Sequence, residues 1–253
     1  MYRIKLCIEA LSEQKSGIGL EMQTVRKIKQ MLAAFLTVFC TVGNYANAQK
    51  LAVSAGGDLV SSYIWRGQYA GGVSIQPSAS ISLSGFSLTA WGSTGFSSND
   101  VREYDFTLAF DKAGFRLAVT DYWFDTSDNY FDYDVQTTAH IFEATAGYDF
   151  GVAAISCNIF FAGNDFHAAD GKRAWSAYIE ASVPFKLGGL DWKAEAALTP
   201  ARGFYANCFN AVNAGIAVKK EISVTDSFSV PVFTKISFNP YQGKCFFTFG
   251  LTL

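Results

Sequence analysis

Arg173-Ala-Trp-Ser-Ala-Tyr-Ile-Glu-Ala-Ser-Val-Pro-Phe-Lys186 reads as one long two-faced strand. Trp175, Ala177, Ile179, Ala181, Val183 and Phe185 share one parity, while Ser176, Tyr178, Glu180 and Ser182 share the other. Successive side chains of a strand point to opposite faces, so the segment has an oily side and a wet side. It is long enough to cross a bilayer when tilted, which takes roughly 9–11 residues. Trp175 and Phe185 sit near the two ends of the oily side, where a membrane strand carries its aromatic girdles.

The same pattern recurs along the chain. Val73, Ile75, Ala79, Ile81 and Leu83 alternate with serines and Gln76; Tyr104, Phe106, Leu108 and Phe110 alternate with Glu103, Asp105, Thr107 and Asp111. Leu190, Trp192, Ala194, Ala196 and Leu198 alternate with Asp191, Lys193 and Glu195, and Val212 to Val218 with Asn213 and Lys219. Twelve strands are expected, at 58–65, 73–84, 86–96, 102–111, 115–124, 137–149, 152–163, 173–186, 190–199, 211–221, 227–238 and 244–253. Connections after the even-numbered strands are tight: Gly85, Lys112-Ala113-Gly114, Phe150-Gly151, Leu187-Gly188-Gly189 and the longer Ile222 to Asp226. Those after odd-numbered strands are mostly long and polar, notably Asp125 to Gln136, Asn164 to Lys172 and Pro200 to Asn210. That alternation belongs to an all-β, transmembrane, antiparallel up-and-down barrel of about 12 strands, closed because hydrocarbon tolerates no free strand edge. A soluble exported β-sandwich is the structural alternative. Pro77, Pro184 and Pro231 fall inside expected strands, where a closed barrel has no edge to absorb a missing donor.

Residues 1–48 read as an extension plus a signal peptide, and residues 49–253 as the barrel. Arg26, Lys27 and Lys29 precede the apolar run Met31 to Val42, and Ala46-Asn47-Ala48 is a cleavage site. Residues 1–21 match no part of such a leader, which makes Met22 the expected start. Cys40 lacks a lipobox, so no lipoprotein anchor is expected. The chain after residue 48 holds 14 Lys and Arg against 19 Asp and Glu, the wrong balance for a nucleic-acid partner. The last strand puts Phe247, Phe249, Leu251 and Leu253 on one parity up to the C-terminus, resembling the signal read by the barrel-insertion machinery, although the terminal residue is not aromatic.

No cofactor, metal or catalytic group is called for. The residues two positions from His140 are Thr138 and Phe142, so the His–Ser pair of outer-membrane lipid enzymes is missing. His167, flanked by Asp165 and Asp170, reads as part of a polar loop. The stretch from Asp125 to Asp134 carries four carboxylates without the Gly and terminal Glu of a calcium loop. Cys157 has oily parity, whereas an oxidising compartment permits a disulfide between Cys208 and Cys245.

The wet parity carries the functional expectation. Glu103, Asp105, Glu143, Glu180 and Glu195 are acidic there; Arg116, Lys193, Lys219 and Lys235 are basic. Charges inside a barrel need water or partners: a wet interior makes a pore, a salt-bridged one a plug. The chain therefore reads as an outer-membrane porin for small polar solutes, surrounded by lipid and lipopolysaccharide. The alternative is a non-conducting structural or surface-interaction barrel.

Val60-Ser-Ser-Tyr-Ile-Trp-Arg-Gly67, soon after the signal peptide, resembles the opening strand of the TorF-type family of outer-membrane porins, which carries Ser-x-Tyr-x-x-Arg-Gly. The resemblance covers eight residues and implies a Gram-negative outer-membrane location and a transport role. Arg66 would leave the first strand at the outer rim beside Trp65, with Gly67 supplying the bend.

Overall fold

The computed structural model describes residues 51–97, 100, 102–125, 129–135, 137–167, 170–226 and 228–253, so the expected leader and its cleavage site lie outside it. The described chain is all-β. Its strands are β1 (Ala52–Val60), β2 (Tyr63–Trp65), β3 (Gln68–Gly71), β4 (Ser74–Leu83), β5 (Phe86–Gly95), β6 (Arg102–Lys112) and β7 (Phe115–Asp125). They continue as β8 (His140–Asp149), β9 (Ala154–Gly163), β10 (Ala177–Leu187), β11 (Leu190–Thr199), β12 (Asn210–Thr225), β13 (Phe228–Asn239) and β14 (Lys244–Thr252). β1 and β4 to β14 form a closed twelve-stranded barrel in which neighbours in sequence are neighbours in space and β14 returns to β1; β2 and β3 pair only with each other.

Tight turns gather at one end. Ser84-Gly85, Ala113-Gly114 and Gly188-Gly189 all have positive φ, the backbone of the two-residue turns that match strand twist. Long connections gather at the other end. Alternation then sorts the side chains. Ile75, Leu88, Phe106, Leu117, Ile155, Val183, Ile236 and Phe247 stand exposed on the outer wall, while Glu103, Asp105, Thr120, Glu143, Asn158 and Asn213 are buried within. Aromatic belts ring the outer wall at both ends. Phe86–Phe110 and Phe115–Tyr148 meet at 4.6 Å beside the turns, tilted and edge-on respectively; Tyr104–Trp123 at 5.7 Å and Phe142–Phe161 at 6.3 Å lie towards the long loops.

The prolines fit because each lies where one side of the ladder is interrupted. β4 pairs β5 at Ser74, Ile75 and Ser78 onward, skipping Gln76 and Pro77. Pro184 lies past Ser182, the last β10 residue paired to β9, and Pro231 lies before Val232, the first β13 residue paired to β14. No donor is missed at any of the three.

Strand ends depart from expectation by four residues or more in three places. The first strand was expected over 58–65, but the ladder runs from Ala52 to Val60 and the chain then turns inward. The eighth was expected from Arg173, but β10 starts at Ala177. Asp165 captures Ser176 through its amide (3.0 Å) and hydroxyl (2.6 Å), and Trp175 is held at φ 51°. β12 extends to Thr225, absorbing most of the connection expected at Ile222 to Asp226.

Candidate functional site

The hairpin β2–β3 stands inside the barrel. Its turn is Arg66-Gly67, with φ of 51° and 75°, flanked by the pairs Trp65↔Gln68 and Tyr63↔Gly71. A non-glycine residue in that left-handed region costs roughly 1–2 kcal/mol, so contacts must hold Arg66 there. The hairpin touches inward side chains of strands all around the ring, which is possible only from within. Tyr63 meets Trp91 of β5 at a tilt (5.6 Å), and Trp65 meets Tyr122 of β7 (5.5 Å) and Phe160 of β9 (6.5 Å). At the tip, Asn239 of β13 donates its side-chain amide to the Gly67 carbonyl (3.1 Å). A Cβ at Gly67 would lie 2.4 Å from the Val212 carbonyl of β12, so only glycine lets the turn sit this close.

Arg66 is the centre of the plug. Its two terminal nitrogens donate to both carboxylate oxygens of Glu143 on β8, the Nη2–Oε1 bond being 2.8 Å, and Nη1 also donates to the Tyr205 hydroxyl. The guanidinium lies over Trp65 (4.6 Å) and Tyr178 (4.7 Å). Glu143 is fully buried and takes a further bond from the Tyr122 hydroxyl (3.0 Å). A bidentate pair with its remaining lone pairs satisfied is the arrangement in which buried charges hold. Burial opposes the charge on Arg66, but Tyr205 and the hydrogen bond and charge of Glu143 outweigh it and raise its pKa well above the ordinary value. Phe204 and Tyr205, from the connection after β11, close over Trp65 at 6.0 and 6.1 Å.

A polar network leads from the plug towards the turns. The Tyr178 hydroxyl donates to Glu180 (2.9 Å), and the Asn213 amide reaches both that hydroxyl (3.2 Å) and Glu195 (2.8 Å). Lys235 pairs with Glu195, and Lys193 lies between Glu180 (3.7 Å) and Glu195 (3.6 Å). Below the plug the opposite wall is small and hydroxylated: Thr89 donates to Ser80, and Thr107 pairs with Thr120, both at 3.0 Å.

All nine charges expected on the wet face occupy the inner face, but in different surroundings. Glu143 is bound by Arg66. Glu103 and Asp105 are buried beneath Tyr63; the Asp105 Oδ1 has no protein partner. Burial and these two carboxylates push the Tyr63 phenol far up. Arg116 pairs with Asp111 at the turn end (2.8 Å), half exposed. Glu180, Lys193, Glu195 and Lys235 form the network above, and Lys219 is exposed on the same side. Arg66 itself was expected at the outer rim. It instead points into the lumen, because the chain folds inward after Val60.

The sequence reading missed the aromatic half of this site. Its signal was available: Tyr122, Phe160 and Tyr178 are aromatic on the wet parity of β7, β9 and β10, which leaves them nothing to pack on unless something enters the lumen. Tyr205 and Phe204 sit in a connection, where periodicity carries no information.

The two histidines take other roles. His140 lies on the outer wall, fully buried, with Nδ1 2.7 Å from Asp121 and Nε2 2.7 Å from the Tyr130 carbonyl, and Tyr133 stacks on it at 4.5 Å. Nδ1 is spent on Asp121 of β7, and Nε2 fastens the connection after β7 to the wall. Asp132 in that connection is bound by the Thr137 hydroxyl and the Asp134 amide, which lower its pKa. Asp165 is spent on Ser176 and not on His167. No cluster of three or more metal-ligating side chains occurs among the described residues. Cys157, Cys208 and Cys245 are free thiols, the last two exposed. No family model matches the chain, and no curated protein is found as a relative.

Proposed function

We propose that this barrel is an outer-membrane channel for small polar solutes whose described state is closed by its own first loop. The observation that carries the reading is the inward hairpin: Trp65 and Arg66 fill the long-loop half of a lumen whose turn half is lined by hydroxyls and charges. An apolar outer wall with two aromatic belts supports insertion in a bilayer. Tight turns would face the periplasm and long loops the exterior, with lipid and lipopolysaccharide around the wall. Export by the leader and insertion through the C-terminal strand belong to the same reading. It calls for no enzymatic step, cofactor or nucleic acid. Lys193, Lys219, Lys235, Glu180 and Glu195 would set ion preference in the open lumen, with Arg116 at the mouth. Glu103, Asp105 and Glu143 would line the path only once the hairpin has moved.

A non-conducting surface barrel is the second reading, favoured by the buried bidentate Arg66–Glu143 pair, which would make the plug permanent. Single-channel recording on refolded residues 49–253 separates the two. The channel reading expects a mostly closed wild type with discrete brief steps, and a change of selectivity on charge reversal at Glu180 or Lys193. A plug-weakened variant such as Arg66→Ala, folded and inserted yet silent, would establish the non-conducting barrel.

A further inference from the structure

The hairpin that plugs the lumen is the tip of the β1–β4 hairpin folded over. β1 and β4 pair in one register up to Val60↔Ser74, and Tyr63↔Gly71 continues that same register across the bend. The fold-over is therefore confined to Ser61-Ser62 on one strand and Gly72-Val73 on the other, three of the four being small residues. Folding over has a consequence for the closing seam. β1 pairs β14 at Asp58, Leu59 and Val60, with Gly57 and Leu253 exchanging backbone bonds just before them, whereas other barrel pairs run over six to eleven residues. Past Val60, Ser61 still bonds Phe249 through its amide and hydroxyl, and the Ser62 hydroxyl reaches the Phe247 carbonyl (3.3 Å), but β1 offers no strand residue opposite Lys244–Phe247, although those residues still pair β13 on their other side.

We infer that this segment of β14 is the second docking edge of the hairpin: Tyr63–Trp65 swings out about the hinge and zips onto it, opening the lumen. This rests on the channel reading above. The register is already set. Val60 stands opposite Gly250, the Ser61 amide donates to the Phe249 carbonyl (2.8 Å), and the Ser62 hydroxyl meets that of Thr248 (3.0 Å). Two more steps of the same ladder bring Tyr63 opposite Phe247 and Trp65 opposite Cys245. Parity agrees: Tyr63 and Trp65 would join Phe247 on the outer wall, Tyr63 and Trp65 adding to the aromatic belt there, while Ser62 and Ile64 face inward. The hinge residues Ser61 and Val73 already border an apolar groove of about 440 Å³ at this seam, together with Leu59, Phe249 and Leu251. A free edge in hydrocarbon is costly, so the outward state gains ladder hydrogen bonds where the plugged state gains Arg66–Glu143. The same segment closes either the lumen or the seam.

Disulfide trapping tests this in the refolded barrel. In a Cys157→Ser, Cys208→Ser background, Trp65→Cys would face native Cys245; Tyr63→Cys with Phe247→Cys, in the same background with Cys245→Ser, leaves Trp65 and Arg66 intact. Mild oxidation should cross-link most molecules of both variants, with conductance locked on and reversed by reductant. Folded barrels that fail to cross-link at either pair overturn the inference. Cross-linking without conductance would uphold the hinge and refute the channel reading, whereas conductance in the plug-weakened Arg66→Ala without any cross-link in either pair would do the reverse.

Discussion

Replacing Arg66 by Ala should open the lumen. In the plugged state the Arg66 side chain is 13% exposed and Glu143 only 2%. Truncation removes three donated hydrogen bonds, two of them to Glu143, and leaves that carboxylate buried with the Tyr122 hydroxyl as its main donor. Breaking a buried pair by deleting one partner costs about 3–5 kcal/mol, because the remaining charge is stranded. The loss of stacking on Trp65 and Tyr178 adds about 1 kcal/mol. Outside the lumen Arg66 makes none of these contacts, so the cost falls on the closed state alone. At about 1.4 kcal/mol per tenfold, open over closed should rise by at least roughly 100-fold. Arg66→Lys, which keeps charge but loses the fork, should give a smaller rise. The assay is open probability in planar bilayers at matched insertion, with folding checked by heat-modifiable gel mobility. Equal open probability in wild type and Arg66→Ala would refute the assignment of Arg66 as the latch.

Gly67→Ala should act in the same direction without touching the ion pair, since the added methyl meets the Val212 carbonyl and sits at φ 75°; open probability should rise while the barrel's melting is unchanged. Asp165→Ala removes two bonds to Ser176 from a buried site and should cost about 1–3 kcal/mol locally, read as faster proteolysis in residues 164–176. Tyr130 is pushed up to about 12 by burial and then by Asp121. Its folded form therefore favours the neutral phenol: the stability it lends is complete below its ordinary value of 10 and is lost as pH rises through about 12, so residues 129–138 should become protease-sensitive over that window. Cys208 and Cys245 are exposed at the long-loop end, and a membrane-impermeant maleimide should label both on intact cells and Cys157 far more slowly; labelling only after outer-membrane disruption would invert the orientation.

The wall was legible wherever alternation was strict. The strands expected at 190–199, 102–111 and 244–253 are found at Leu190–Thr199, Arg102–Lys112 and Lys244–Thr252, because one misplaced residue there would drive charge onto the oily face. Where side chains are small, the pattern fails. Ala52–Asp58 contains two glycines and a serine, carries little periodicity, and yet pairs fully with β4. Arg173–Ser176 kept the parity of β10 but not its backbone, since Asp165 diverts two amides, that of Ser176 to its buried carboxylate and that of Ala174 to its carbonyl. The inner face was legible as a face but not as a site, because parity reports which side a residue takes and nothing about what a connection brings to meet it.

The first strand makes the point most sharply. A continuous strand over 58–65 with Arg66 at the rim is what the alternation of Leu59, Ser61, Tyr63 and Trp65 encodes, and the described barrel contradicts it. Local pattern and tertiary contact disagree here for a physical reason: Tyr63 and Trp65 suit the outer wall beside β14 as well as they suit Trp91, Tyr122 and Phe160 within. What decides is Arg66. On the rim it is a solvated charge worth little, whereas inside it satisfies Glu143 with a bidentate bond. Glu143, fixed to the inner face by the parity of β8, cannot leave. The conflict between strand pattern and lumen charge therefore falls on eleven residues, Ser61 to Gly71, and conflicts of that kind concentrate where a protein functions. Removing Glu143 instead of Arg66, as Glu143→Gln, should then favour the outward strand from the other side. The same register of cross-links would appear in both variants, whereas a register unique to one would mean that the hairpin merely loosens and has no second docking edge.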